Sequence, residues 1–264
     1  MNYNNTDQQI HQLSQVLSKV GRTFATKKDD DSHTNVSFDA IDIRLLSRYI
    51  ETPMKRVLLS LNLHNQAFEW MDEKKEVLQS VAYTNKLLNE VEIELENGLR
   101  RLGVKSTSFS EPMHYEIPVY SFVNEPVKAL TEPDIKEWTM IRRMANMVCS
   151  ELLGHLQVDA EIRIWPHHFD TGFYASVTDK IAIGFGFAMK DSLLNDSYFY
   201  MSGYPTEGNL DFTTTNNLPA GQWVSDDFKG ALLGLSELDN FGDIETQRKI
   251  IGFLKASSHW YLRA

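Results

Sequence analysis

Cysteine occurs once in 264 residues, as Cys149. The chain can therefore form neither an internal disulfide nor a cysteine-based zinc site. Basic residues are in deficit: 26 Lys and Arg stand against 36 Asp and Glu, for a formal net charge of -10. Phosphate backbones are held by clustered Lys and Arg, so nucleic acid is not expected as a partner. No run approaches the roughly 20 apolar residues of a membrane-spanning helix. The N-terminal MNYNNTDQQIHQLSQ is too polar for a secretory signal. These absences predict a reduced, cytoplasmic protein with no membrane partner. Two catalytic fingerprints are missing as well. There is no G-x-S-x-G nucleophile elbow, and Gly184-x-Gly186 is followed by no G-x-x-G spacing that opens a helix, as a dinucleotide loop requires.

Hydrophobic residues, in contrast, make up 42% of the chain and aromatics 11%, enough for a sizeable core. The clearest pattern lies between Phe169 and Ala188. Phe169, Thr171, Phe173, Ala175 and Val177 alternate with Asp170, Gly172, Tyr174 and Ser176; Ile181, Ile183, Phe185 and Phe187 then alternate with Ala182, Gly184, Gly186 and Ala188. Period-two patterning predicts two strands, and Thr178-Asp179-Lys180 is a link of hairpin length. Closing that hairpin sets Val177 opposite Ile181 and Phe173 opposite Phe185, which makes one face continuously apolar. The other face is expected to carry His168, Asp170 and Tyr174 above a bed of Ala182, Gly184, Gly186 and Ala188. Glycine weakens a strand interior, so two in one strand imply a close approach to the backbone, by a covering helix or by a ligand.

Elsewhere, Ile10, Leu13, Val16, Leu17 and Val20 mark a first helix, capped by Thr6 or Asp7 and stopped at Gly21. Val36 to Ile50 is ambiguous between strand and helix. Arg56 to Leu63, Ala67 to Met71 and Glu76 to Tyr83 predict an antiparallel meander. A helix follows from about Asn85 to Gly103. Ser106 to Pro133, with four prolines, reads as a linker between halves that lies against the body, as an edge strand that would tolerate Pro118. Thr131 or Glu132 opens a long helix with Trp138, Ile141, Met144, Val148, Leu152 and Leu156 buried and Cys149 beside them. Strands are expected at Glu161 to Trp165 and Ser197 to Tyr204, a short helix from Ser225 or Asp226 to about Leu235, and a last helix capped by Asp243 with Ile244, Ile251, Leu254 and Tyr261 apolar. The predicted fold is α+β: antiparallel strands in two successive helix–strands–helix halves, about 1–105 and 131–264, joined by 106–130 into one compact body spanning 1–264.

Several phrases resemble a bacterial family known as domain of unknown function 5996. They are Leu102-Gly103-Val104 followed by Met113-His114-Tyr115-Glu116-Ile117-Pro118, Trp165 to Asp170 leading into a strand, and Tyr198-Phe199-Tyr200 running to Tyr204-Pro205. The likeness extends from about Gln12 onward. It implies the fold and the neighbourhood of a pocket, and no activity or cofactor.

His167-His168-Phe169-Asp170 is the sharpest polar cluster. On a strand His168 and Asp170 point the same way, two members of a facial metal triad such as non-haem iron oxygenases use. The third ligand is wanting, since only His259 lies downstream, in the last helix, and no metal is assigned. Without a metal, His168 is a general base oriented by Asp170 or Tyr174. As a binding module, the same region offers small residues edged by aromatics to a planar or apolar small molecule. The candidate site is Trp165, His167, His168, Asp170, Tyr174, Gly184, Gly186 and Tyr204, with a small-molecule ligand as partner. The rival is a non-enzymatic scaffold whose glycine side is filled by its own helix.

Overall fold

A computed structural model describes residues 3–104, 108–226, 228–238 and 243–263. The fold is α+β with antiparallel sheets. The chain divides into two compact units: Met1–Thr139 with Ile164–Phe169, and Met140–Arg163 with Asp170–Ala264. The division does not fall in the proline-rich segment. It falls within a helix, between Thr139 and Met140.

The first unit opens with α1 (Tyr3–Phe24), then the short strands β1 (Ser37–Asp39), β2 (Arg44–Leu46) and β3 (Ile50–Glu51). The stretch left ambiguous by its sequence is thus mostly extended. The expected meander follows as β4 (Arg56–Asn62), β5 (Ala67–Asp72) and β6 (Val77–Ala82), turning at Gln66 and Lys75, both at positive φ. The sheet order is β1-β2-β4-β5-β6, with β3 pairing β4 off that path. Register places Leu59 opposite Trp70, and Leu61 opposite Phe68 opposite Val81, so these residues share one buried face. The helix α2 (Leu88–Arg101) is tied to that face: Trp70 Nε1 donates to Leu95 O at 3.1 Å and Gln79 Nε2 to Glu94 O at 3.0 Å. A Cβ at Gly98 would displace the end of the Gln79 side chain and lie 3.1 Å from Trp70 Cδ1.

The opposite face of this sheet buries polar side chains beside Leu58 and Met71. Glu69, 2% exposed, takes hydrogen bonds from Arg44, from Asn62 Nδ2 and from Asn65 Nδ2. A carboxylate removed from water needs such donors to remain charged.

The described residues after Ser108 form no strand up to the next helix. They run beside α1, in the opposite direction. Arg22 near the helix end binds the carbonyls of Ser108, Phe109, Glu111 and Pro112, Gln15 accepts from Tyr115 Oη at 3.0 Å, and Gln9 binds Lys128 O at 2.6 Å. The expectation that this segment lies against the body holds, but the prolines leave it without ladder bonds.

The helix α3 (Glu132–Leu156) carries the chain into the second unit, and β7 (Arg163–Trp165) follows. Ile164 of that strand exchanges backbone bonds with Val36, at 3.1 and 2.8 Å, in the first unit. The second sheet then forms from β8 (Asp170–Ser176), β9 (Ile181–Ala188), β10 (Tyr198–Pro205), β11 (Gln222–Val224) and β12 (Gly230–Gly234), running β11-β12-β10-β9-β8. Phe173 pairs with Phe185, and Val177 N bonds to Ile181 O, as the hairpin reading requires. The last helix is α4 (Ile244–Tyr261), capped by Asp243 accepting from Glu245 N. It lies on the apolar face, where Tyr261 Oη donates to Met201 O at 3.1 Å and its ring occupies the space of a Gly203 side chain.

One expectation is corrected here. The short helix to Leu235 is instead the strand β12, buried throughout between β10 and β11. A brief apolar run such as Ala231-Leu232-Leu233 has no period to separate strand from helix. In α4 the buried side is Ile250, Phe253, Leu254 and Tyr261, while Ile244 and Ile251 are exposed. The order helix, six strands, helix occurs twice along the chain.

Candidate functional site

The expected cluster does not assemble as predicted. Residues 166–169 form a turn, not a strand: Phe169 N bonds to Trp165 O at 2.7 Å, and Phe169 sits at φ 53. A left-handed residue breaks the alternation, so His168 does not share the parity of Asp170. The cause is packing. Phe169 is fully buried, stacked at 5.0 Å on the His11 ring and at 6.4 Å on Trp138. His168 is left exposed in the turn, 4.3 Å from His167, which in turn neighbours Trp165 and Tyr115. Trp165, His167 and His168 belong to the first unit; Asp170, Tyr174, Gly184, Gly186 and Tyr204 belong to the second.

His11 explains the buried end of that turn. Its Nε2 lies 2.8 Å from Pro166 O, which can only accept, so this nitrogen carries a proton. Nδ1 lies 2.7 Å from Tyr120 Oη. Gln15 Nε2 also donates to Pro166 O, at 2.8 Å. Both histidine nitrogens are engaged in holding chain segments together, which is a structural role.

In the second unit, Asp170 and Tyr174 do share a face, at opposite exposures. Asp170 is 7% exposed and accepts a hydrogen bond from the Tyr200 hydroxyl. Burial, and then the Asp170 charge, push the Tyr200 hydroxyl well above its ordinary range, so it stays a donor. Tyr174 is 55% exposed. The approach implied by the glycines is real, and what the structure shows there is the neighbouring strands of the same sheet. Tyr200 lies opposite Gly186, and Ser202 opposite Gly184, on the neighbouring strand β10. A Cβ at Gly186 would sit 2.8 Å from Thr171 O and 2.9 Å from Tyr200 Oη, and one at Gly184 3.1 Å from Ser202 Oγ and 3.2 Å from Tyr204 Cε2. Tyrosines of the same sheet fill the space, and the Tyr174 and Tyr204 rings meet edge-on at 5.3 Å.

On the other face, Arg142 is fully buried and donates from Nη1 to Thr171 Oγ1 at 2.9 Å. Cys149 Sγ donates to Thr171 O at 3.9 Å, and burial, followed by the Asp170 charge, pushes its thiol far up. A thiol held protonated is not a nucleophile. Among the described residues, no three His, Cys, Asp or Glu side chains come together as a metal site.

An open site occurs instead in the first unit. Two adjoining openings, of about 340 and 330 Å³, run between α1, the start of α2 and the proline-rich segment; both are lined by Gln12, Leu88 and Val123. Asn5, Gln8, Gln12 and Lys19 recur at helical spacing and so form one edge of this groove. Leu13, Val16 and Leu88 supply apolar lining. At one end Lys19 Nζ pairs with Glu92 Oε1 at 2.5 Å, in side chains 13% and 10% exposed. Burial raises the Glu92 carboxyl above its usual range despite the lowering effect of Lys19. Gln9 and Gln15 are engaged by the segment, whereas Asn5, Gln8, Gln12 and Asn89 make no side-chain hydrogen bond among the described residues. The corresponding cleft between α3 and α4 is about 70 Å³ and lined by Met144, Met147 and Val148 among others. Glutamines at three- and four-residue steps were the available signal, but on a helix they read as a solvated face; what stands across from them is a segment some hundred residues later.

Comparison with protein-family models, with curated proteins and with solved structures finds no match for this chain.

Proposed function

We propose that the chain is a binding protein whose site is the groove beside α1, and that its ligand is an uncharged molecule rich in hydrogen-bonding groups. One observation carries this reading: Gln8, Gln12 and Asn89 line adjoining openings over an apolar floor and have no partner among the described residues. A carboxamide donates and accepts at once, and beside Leu13 and Val16 it fits a ligand that is polar at its edges and apolar in its body. The charges at the groove are already paired, Lys19 with Glu92 and Lys128 with Glu125, which disfavours an ionic ligand. No helix among the described residues is long and apolar enough to cross a membrane. The test is ligand-observed NMR with a panel of uncharged amides, ureas and methyl glycosides. Hits should be lost in Gln12→Trp, which fills the point shared by both openings; hits that survive it would remove the groove from consideration.

A second reading rests on the exposed Tyr174 and Tyr204 rings over Gly184. This aromatic pair is suited to stacking a planar molecule. A planar ligand that quenches tyrosine fluorescence equally in Tyr174→Ala and in the parent would dismiss it.

A further inference from the structure

We propose that the occupant of the groove is an extended, uncharged stretch of polypeptide, recognised through its main chain; this rests on the binding site proposed above. The first support is that α1 already holds chain in this manner. The Arg22 guanidinium donates to Ser108 O at 2.7 Å, Phe109 O at 3.1 Å, Glu111 O at 2.7 Å and Pro112 O at 2.5 Å, and Gln9 Nε2 donates to Lys128 O at 2.6 Å. The helix thus binds peptide carbonyls through its side chains, at Gln9 within the groove and at Arg22 beyond its Lys19 end. Beside Gln9, Gln8 and Gln12 line the same groove and have no hydrogen-bond partner among the described residues.

Spacing is the second support. Gln8 and Gln12 are one turn apart, about 6 Å along the axis. Peptide groups pointing to the same side of an extended chain repeat every ~6.6 Å. Consecutive carboxamides on this helix face can therefore meet consecutive same-side amides, each exchanging a donor and an acceptor. From Asn5 to Lys19 the helix rises about 21 Å, the length of roughly six extended residues. Alternate side chains of such a peptide would point toward Leu13, Val16 and Leu88, and would be selected for modest apolar size. Charged peptides are disfavoured because both lysines of the groove are already paired.

The experiment titrates the full chain, observed by amide NMR shifts and calorimetry, with end-capped alternating Ser-Val peptides of two, four and six residues. The other probes are the six-residue peptide N-methylated at alternate amides, and maltohexaose as an uncharged oligomer without peptide groups. Affinity should rise at least tenfold from two residues to six. It should fall at least tenfold on N-methylation, and it should be lost in Gln8→Leu/Gln12→Leu and weakened in the exposed-site variant Asn89→Leu. Binding unaffected by N-methylation, or binding of maltohexaose alone, overturns main-chain recognition while leaving the groove in place, provided Gln12→Trp abolishes it. Binding of no probe, or binding indifferent to Gln12→Trp, overturns both.

Discussion

The Lys19–Glu92 pair offers the sharpest test of how the groove is built. At 2.5 Å, the gross attraction is about 7 kcal/mol for an effective dielectric near 20. Against it stands the desolvation of two side chains that are only 13% and 10% exposed, several kcal/mol for each ion. The raised Glu92 carboxyl says which side prevails: burial outweighs Lys19. The pair should then be close to break-even as a unit and very sensitive to losing one member. Lys19→Met strands a buried carboxylate and should lower the unfolding free energy by about 3–5 kcal/mol, whereas Lys19→Met/Glu92→Leu should return to within about 1 kcal/mol of the parent. Urea titration of the two variants and the parent reads this directly. The pH dependence follows from the same shift. An acid whose folded pKa is raised binds its proton more tightly in the folded state, so its contribution to stability declines as pH rises from 4.5 through the folded value. Without Lys19 the shift grows, and the Lys19→Met loss should be larger at pH 7 than at pH 5. A single variant within about 1 kcal/mol of the parent, or a double variant as damaged as the single one, would show that the pair is screened by water and that the groove end is open.

Three further outcomes are expected. Gly172→Ala brings a Cβ within 2.5 Å of the Phe185 carbonyl, backbone that cannot turn aside, while at Gly184 the nearest atom is the rotatable Ser202 Oγ at 3.1 Å; urea titration should show a loss of about 1–3 kcal/mol for the first and a clearly smaller one for the second, and equal losses would contradict the packing described. Tyr200→Phe removes a donor from the buried Asp170 carboxylate and should cost about 1–3 kcal/mol in thermal or chemical unfolding; a neutral effect would mean that the hydroxyl carries no hydrogen bond. His33 is buried, and burial lowers its pKa below 6.5, so the unfolded chain takes up a proton first and stability falls as pH drops below 6.5. His33→Asn should flatten that slope, and an unchanged slope would assign it to other groups.

The hairpin of the second sheet was legible because two alternating runs meet at a short polar link, which leaves one sensible register; Phe173 opposite Phe185 followed from it. The glycines were equally legible as a sign of close approach. What approaches was not, because Tyr200 and Tyr204 reach Gly186 and Gly184 from a strand whose position in the sheet no local pattern reveals. The failure at His168 has a single cause. Phe169 adopts a left-handed conformation that an aromatic residue seldom takes, and the reason is the His11 ring, distant in sequence. The strand β12 was misread because three apolar residues between glycines carry no periodicity. The groove was invisible since a carboxamide on a helix has meaning only with its surroundings known.

The opposition of Gly186 by Tyr200 and of Gly184 by Ser202 and Tyr204 ties the evolutionary fates of positions on two strands. At 186 the Thr171 carbonyl, 2.8 Å from where a Cβ would stand, keeps glycine whatever residue occupies 200, whereas only the side chains of Ser202 and Tyr204 confine 184. Substitutions at 184 should therefore arise in couples with smaller residues at 202 or 204, a correlated drift that a deep set of homologous sequences would display.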